Sequence, residues 1–322
     1  MSPSQTVLVT AAAGNIGKKL VPLLLDHDYK LVLPTSNAAR LRSLLPPNSE
    51  GKVAVEQGSI RDQNWINSVL RTYRAEIVFL CVNGSDELIT TLNFLDAMQR
   101  AGCVKHVVYI SACGDFTSSG GVQETMRTMS TALALVKSTI ELKLLHGGYP
   151  WTCTRLGPTL FFTEDLQSKD SMLKDGLIGE PLGEMGVSRV APTDIAQAAC
   201  NAIVYSERWS GRKVMVGSLQ RYAGSSICKL WSNVLGREIR MTPADVENND
   251  MFEAEVLRAI DSSAEPSLEN SAWVRVLRLM YEGFQQYGFG MTEEDYKTQV
   301  ELLGREPHSY EEWVTETAKS WL

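Results

Sequence analysis

The sequence predicts an α/β fold, a doubly wound parallel sheet covered by helices on both faces, and two observations carry that prediction. Short runs rich in Val and Ile alternate with stretches of helical spacing through the first half of the chain, which is the rhythm of successive βαβ units. The first run, TVLVT at 6–10, passes through AAAGNIG at 11–17 into the apolar stretch KKLVPLLL. A strand that feeds a helix through a small-residue turn presents backbone N–H groups to a phosphate.

The remaining strands follow in order as KLVLP (30–34), KVAVEQ (52–57), EIVFLCV (76–82), HVVYISA (106–112) and WTCTRLG (151–157). Helical spacing separates them at Lys18–Leu25, Asn64–Tyr73 and Leu88–Ala101. After Thr159 the rhythm changes to a Gly-rich segment (174–186), a helix from Pro192 to about Tyr205 and a strand RKVMVG at 212–217. From Ser225 the pattern is largely helical, with capping-box spacings at Thr292/Asp295 and Ser309/Glu312. This divides the chain into a Rossmann-like nucleotide-binding domain over 1–160 and a smaller, mostly helical substrate lobe over 161–322. A segment near 187–217 is expected to pack back on the first domain.

Composition narrows the function. With 31 Lys and Arg against 38 Asp and Glu, the net charge is −7, which argues against a nucleic-acid partner because backbone binding needs clustered cations. Six cysteines stand without a C-x-x-C pair and four histidines do not cluster with them, so no metal site is expected. No apolar run reaches the ~18 residues of a membrane span, and the first strand follows Met1 closely without a basic and apolar leader. A cytoplasmic protein acting on a small molecule, with no membrane partner, is the simplest expectation.

In a phosphate-binding turn one glycine tightens the bend, a second lets the backbone approach the pyrophosphate and a third lets helix and strand pack. Gly14 and Gly17 fill the second and third places, while alanine (Ala11 or Ala12) fills the first. Alanine is tolerated there at negative φ and costs about 1–2 kcal/mol at positive φ. At the end of the second strand, where an NAD-selective protein carries an acid, the sequence reads PTSNAARLR. Thr35, Ser36 and Asn37, followed by Arg40 and Arg42, favour a 2′-phosphate and hence NADP(H) over NAD(H), although a solvated polar loop reads the same way.

These segments resemble the NmrA-like group of atypical short-chain dehydrogenases/reductases, related to isoflavone-reductase-like and quinone-reductase proteins. The likeness runs through VTAAAGNIG, KHVVYISA, TCTRLGPTLFFTED, SRVAPTDIAQAA and LLGREPHSYEEWV. It implies cofactor contacts at Thr10, a pyrophosphate on Ala13, Gly14, Asn15 and Ile16, a 2′-phosphate near Thr35, Ser36 and Asn37, and adenine beside Ser59 and Ile60. It further implies ribose and nicotinamide near Val82, Asn83, Gly84, Ser111, Lys137, Gly157, Pro158 and Thr159. Alanine in place of the first glycine, and Ser36 where the group often has Arg, are departures.

Short-chain reductases use a Tyr four residues before a Lys as proton donor. The residue four before Lys137 is Leu133, so that donor is missing. Lys137 nonetheless lies on the apolar stripe of Leu133, Val136, Ile140 and Leu144, where a lysine needs a partner or a cleft. It is expected either to bond the ribose or donate a proton, or to snorkel and pair with Glu141 at i+4. Ser111, at the carboxyl end of the fifth strand, is the second catalytic candidate, with Tyr109 beside it read as core. Phe161, Phe162 and Met185 are candidates for an apolar substrate wall. Glu164 and Asp165 read as surface or loop-anchoring residues, and His106 and His146 receive no role. Three functions follow: an NADPH-dependent reductase of a conjugated carbonyl, quinone or polyketide-like aromatic, in specialised metabolism as the resemblance implies; an NADP(H)-sensing regulator without turnover; or a redox-neutral isomerase or cyclase.

Overall fold

The six predicted strands are all present in the computed structural model, which describes residues 5–128, 132–263 and 265–321. They are β1 (Thr6–Val9), β2 (Lys30–Thr35), β3 (Val53–Gln57), β4 (Ile77–Leu80), β5 (His106–Ile110) and β6 (Thr152–Pro158). The helices between them are α1 (Gly17–Asp26), α2 (Ala38–Ser43), α3 (Gln63–Tyr73), α4 (Glu87–Ala101), α5 (Ser119–Thr128) and α6 (Ala132–His146). Then come β7 (Leu160–Phe161), α7 (Lys169–Asp175), β8 (Leu177–Ile178), β9 (Val187–Val190), α8 (Pro192–Val204), α9 (Ser206–Trp209), β10 (Lys213–Val216) and β11 (Arg221–Tyr222). The chain closes with α10 (Gly224–Leu235), β12 (Arg240–Met241), α11 (Val246–Ile260), α12 (Leu268–Tyr287), α13 (Glu293–Leu303) and α14 (Tyr310–Lys319).

The main sheet has seven strands in the order β10-β6-β5-β4-β1-β2-β3, paired in parallel throughout. The late strand β10 returns to the sheet beside β6, with Val214 opposite Leu156. Because β2 and β4 flank β1, the chain reverses direction across the sheet there. The helices on either side of that point diverge and leave a crevice at the carboxyl ends of the strands.

Strands buried on both faces need apolar residues at every position, and β4 and β5 are buried along their full lengths. On one face Leu20 and Leu24 of α1 meet Ile195, Ala199 and Cys200 of α8. The alanines of α8 have small side chains that let the two helices approach closely. On the other face Ile66 and Leu70 of α3, Phe94 and Met98 of α4 and Ile140 of α6 form a second core. A third core, around Phe162, Trp231, Tyr281, Phe284 and Tyr310, belongs to the later elements. At about 1.5–3 kcal/mol for each large apolar side chain removed from water, these cores are the main favourable term in folding.

Local capping follows the sequence. Thr292 and Asp295 form both halves of a capping box at α13, whereas at α14 Ser309 accepts only the Glu312 N–H, at 3.2 Å.

Candidate functional site

The turn after β1 is tight because Ala11 adopts φ +51°, so alanine occupies the left-handed conformation that a first glycine would take. Its methyl group is exposed and offsets little of the strain. Gly14 closes the bend with its N–H on the Ala11 carbonyl at 2.9 Å. A Cβ at Gly17 would collide with the Ala11 carbonyl oxygen and stand 2.6 Å from Ala12 Cα, so only glycine permits α1 to start this close to β1. No side chain caps the start of α1. The Lys18, Lys19 and Leu20 N–H groups bond the Gly14 and Ile16 carbonyls, so it is the N–H groups of Asn15 to Gly17, with the positive end of the helix dipole, that suit an anionic group.

This turn floors a cavity of about 390 Å3 that runs along the carboxyl ends of β1, β4, β5 and β6. Of the residues singled out from sequence, Gly14, Asn15, Ile16, Val82, Asn83, Ser111, Lys137, Pro158 and Phe161 line it. Further along the same edge of the sheet, Thr35 ends β2 with Ser36 and Asn37 after it, and Ser59 and Ile60 follow β3. Asn37 caps α2 by accepting the Arg40 N–H at 2.9 Å, and Arg40 is exposed beside it.

Other expected positions lie elsewhere. The Thr10 hydroxyl is fully buried and bonds the Phe79 and Cys81 carbonyls at 3.1 and 3.0 Å, so it ties β1 to β4. Ala13 packs against the core beneath the turn. Gly157 and Thr159 are sheet-packing positions: a Cβ at Gly157 would stand 2.7 Å from the Ala112 carbonyl oxygen, and Thr159 bonds Val216. Gly84 lines a neighbouring recess with Glu87 and Trp273. Phe162 is not a substrate-facing residue. It is 1% exposed and packs on Tyr310 and Trp313, because the chain turns inward directly after Phe161. Met185 is exposed and does not line the cavity. Asp165 is not at the surface but fully buried, paired with Arg189 at 3.2 Å and accepting Trp231 Nε1–H at 2.8 Å.

Lys137 reaches the cavity from α6 and is 8% exposed. The i+4 partner expected from sequence is not the one it takes. Its Nζ donates to Glu87 Oε1 at 2.6 Å and to the Ile110 carbonyl at 3.0 Å. Glu87, at the start of α4 and 1% exposed, also accepts the Tyr109 hydroxyl at 3.1 Å. Burial, and then the Glu87 carboxylate, push the Tyr109 phenol well above its usual range. Tyr109 is fully buried and does not line the cavity, so it does not replace the absent tyrosine.

Glu141 instead serves Ser111, whose hydroxyl donates to its Oε1. The same carboxylate pairs with Lys213 at 2.6 Å and Arg155 at 3.3 Å. Burial lowers the Lys213 pKa, opposed by the Glu141 charge. Two fully buried carboxylates thus hold the two candidate polar side chains in fixed orientations.

The opposite wall was not visible in the sequence. Met280, Gly283 and Phe284 of α12, with Phe289 beyond it and Phe116 after β5, give the cavity a mostly apolar side. Among the described residues no cluster of His, Cys, Asp or Glu is arranged to hold a metal ion, all six cysteines are free thiols, and no helix is long and apolar enough to cross a membrane.

A parallel sheet with a glycine-bearing βα turn at its reversal point and a cavity over the strand ends defines the Rossmann-like class. Within it the chain belongs to the NmrA-like family, whose model matches residues 3–276. No curated protein matches the sequence. Among solved structures, the NADPH-dependent quinone oxidoreductase QOR2 of Escherichia coli, complexed with NADPH, superposes with a TM-score of 0.73 at 17% identity, over 97% of this chain and 99% of that one. The triphenylmethane reductase of Citrobacter sp., complexed with NADP(H), gives 0.72 at 15% identity over 97% and 99%. NmrA, a negative transcriptional regulator in complex with NADP, gives 0.69 at 12% identity over 99% and 96%. At these identities the likeness is one of fold.

Proposed function

We propose that the protein binds NADP(H) and reduces a small conjugated carbonyl, quinone or aromatic polyketide-like substrate. The observation that carries this reading is the meeting, in one cavity, of the uncapped turn, Lys137 held from behind by Glu87, and the apolar wall of α12. Family membership and the cofactors bound by the reductases of like fold support it. NADPH, when bound, supplies a hydride.

The chain's own residues would do the rest. The N–H groups of Ala13, Asn15 and Ile16 receive the pyrophosphate, with Gly14 holding the bend, Thr35 to Asn37 with Arg40 receive the 2′-phosphate, and Ser59 and Ile60 flank the adenine. Lys137 spends two of its three donors on Glu87 and Ile110, leaving one N–H for a ribose or substrate oxygen. Ser111, its hydroxyl proton given to Glu141, keeps its oxygen as an acceptor for a substrate hydroxyl. Residues 1–160 thus hold the cofactor, and 161–322 supply Phe161 and the α12 wall that exclude water.

A second reading, an NADP(H)-sensing regulator without turnover, is favoured by Leu133 in the place of the proton donor and by the likeness to NmrA. Purified protein mixed with NADPH and a panel of quinones, enones and aromatic ketones separates the two. Substrate-dependent loss of NADPH absorbance, diminished in Lys137→Met, is the outcome the reductase reading requires. NADPH binding with no turnover on any panel member would leave the sensor.

A further inference from the structure

We infer that the substrate carries an anionic group, a carboxylate or its equivalent, which Arg221 receives at one end of the cavity. The inference rests on the reductase reading and names the class of molecule that site takes.

Beside the main cavity lies a recess of about 250 Å3, and Thr128, Gly288 and Phe289 line both spaces. The two spaces are therefore neighbours across Thr128, Gly288 and the Phe289 ring. Four charged groups stand in or next to this recess. Asp115 is spent on its own loop, accepting the Thr117 and Ser118 N–H groups at 3.0 and 3.1 Å and the Ser118 hydroxyl. Glu124 is paired with Arg127 at 2.8 Å. That leaves Arg221, which lines the recess, is exposed to solvent, and whose guanidinium has no hydrogen-bond or ion-pair partner among the described residues.

Its position is built rather than incidental. Arg221 sits on β11, opposite Ser188 of β9, and its side chain passes over three glycines. A Cβ at Gly290 would stand 2.7 Å from Arg221 Nε, one at Gly288 3.3 Å from Nη1, and one at Gly186 3.1 Å from Arg221 Cβ. Side chains at these positions would close the path along which the guanidinium reaches the recess. A planar guanidinium that runs along backbone and faces solvent with no protein partner can exchange its water for bidentate contact with a carboxylate. The apolar wall of Phe284, Phe289 and Met280 then fits the body of the same molecule, and Ser111 and Lys137 face the far end, where a reducible carbonyl would sit.

The test uses the NADPH-loaded full chain and two probes of one shape, anthraquinone-2-carboxylate and anthraquinone-2-carboxamide, with binding measured by calorimetry and turnover recorded in parallel. The carboxylate should bind about 2- to 5-fold more tightly than the amide, the scale of an exposed ion pair. Arg221→Gln should remove that difference while leaving amide and NADPH binding unchanged, and Arg221→Lys should retain part of it. Equal binding of the two probes, or of neither, overturns the inference, as does a preference that survives in Arg221→Gln. Carboxylate-selective binding without reduction would uphold Arg221 as an anion site and count instead against the reductase reading.

Discussion

Replacing Ala11 with glycine is expected to stabilise the protein, although such a change usually destabilises. Ala11 holds φ +51°, a conformation that costs an L-residue about 1–2 kcal/mol, and its exposed methyl contributes little burial. Glycine removes that strain and loses about 0.5–1 kcal/mol to the greater freedom of its unfolded chain. The net gain is about 0.5–1 kcal/mol. Urea denaturation would read it as a midpoint raised by about 0.2–0.5 M at unchanged slope. The contrasting change, Gly17→Ala, places a Cβ 2.6 Å from Ala12 Cα and should cost at least ~2 kcal/mol, the scale of overpacking a tight site. If Ala11→Gly lowered the midpoint, or Gly17→Ala left it unchanged, the turn would not have this geometry.

Three further outcomes follow. Glu87→Gln or Lys137→Met alone should destabilise by about 3–5 kcal/mol because each strands a buried charge, and the double variant should cost less than the two together, measurable as a denaturation cycle. Burial lowers the His106 pKa to about 4 from 6.5, so the unfolded chain binds this proton first as pH falls. Stability from this group is full above about pH 6.5 and is lost progressively down to about pH 4, by about 3 kcal/mol; His106→Gln should flatten that part of the pH–stability curve. Arg40→Ala should weaken NADPH binding about tenfold and leave NADH binding unchanged, as compared by titration of both nucleotides.

Much of the fold was legible because its signals are local. The βα alternation, the turn at 11–17 and the Thr292 capping box each lie within a short window of sequence, and each is present. The pairing chemistry was not. Glu141 at i+4 is the partner that a helix offers Lys137, yet the sheet brings Glu87 from fifty positions away to 2.6 Å, and Glu141 turns to Ser111 and Lys213 instead. Asp165 looks like loop polarity beside Glu164, but Arg189, Trp231 and Tyr310 surround it in the fold. Phe161 and Phe162 are neighbours that face opposite ways, one to the cavity and one to the core, a division set by the short strand β7 rather than by composition. Met280, Gly283 and Phe284 read as an ordinary helix face until the fold sets them over the strand ends.

The central claim is that this turn and cavity hold NADP(H). Calorimetric titration of the purified protein with NADPH and, separately, NADH tests it most directly. The account predicts one-to-one binding of NADPH, tighter than NADH and lost in Gly17→Ala even where that variant remains folded; binding of neither nucleotide to the wild-type protein would contradict it.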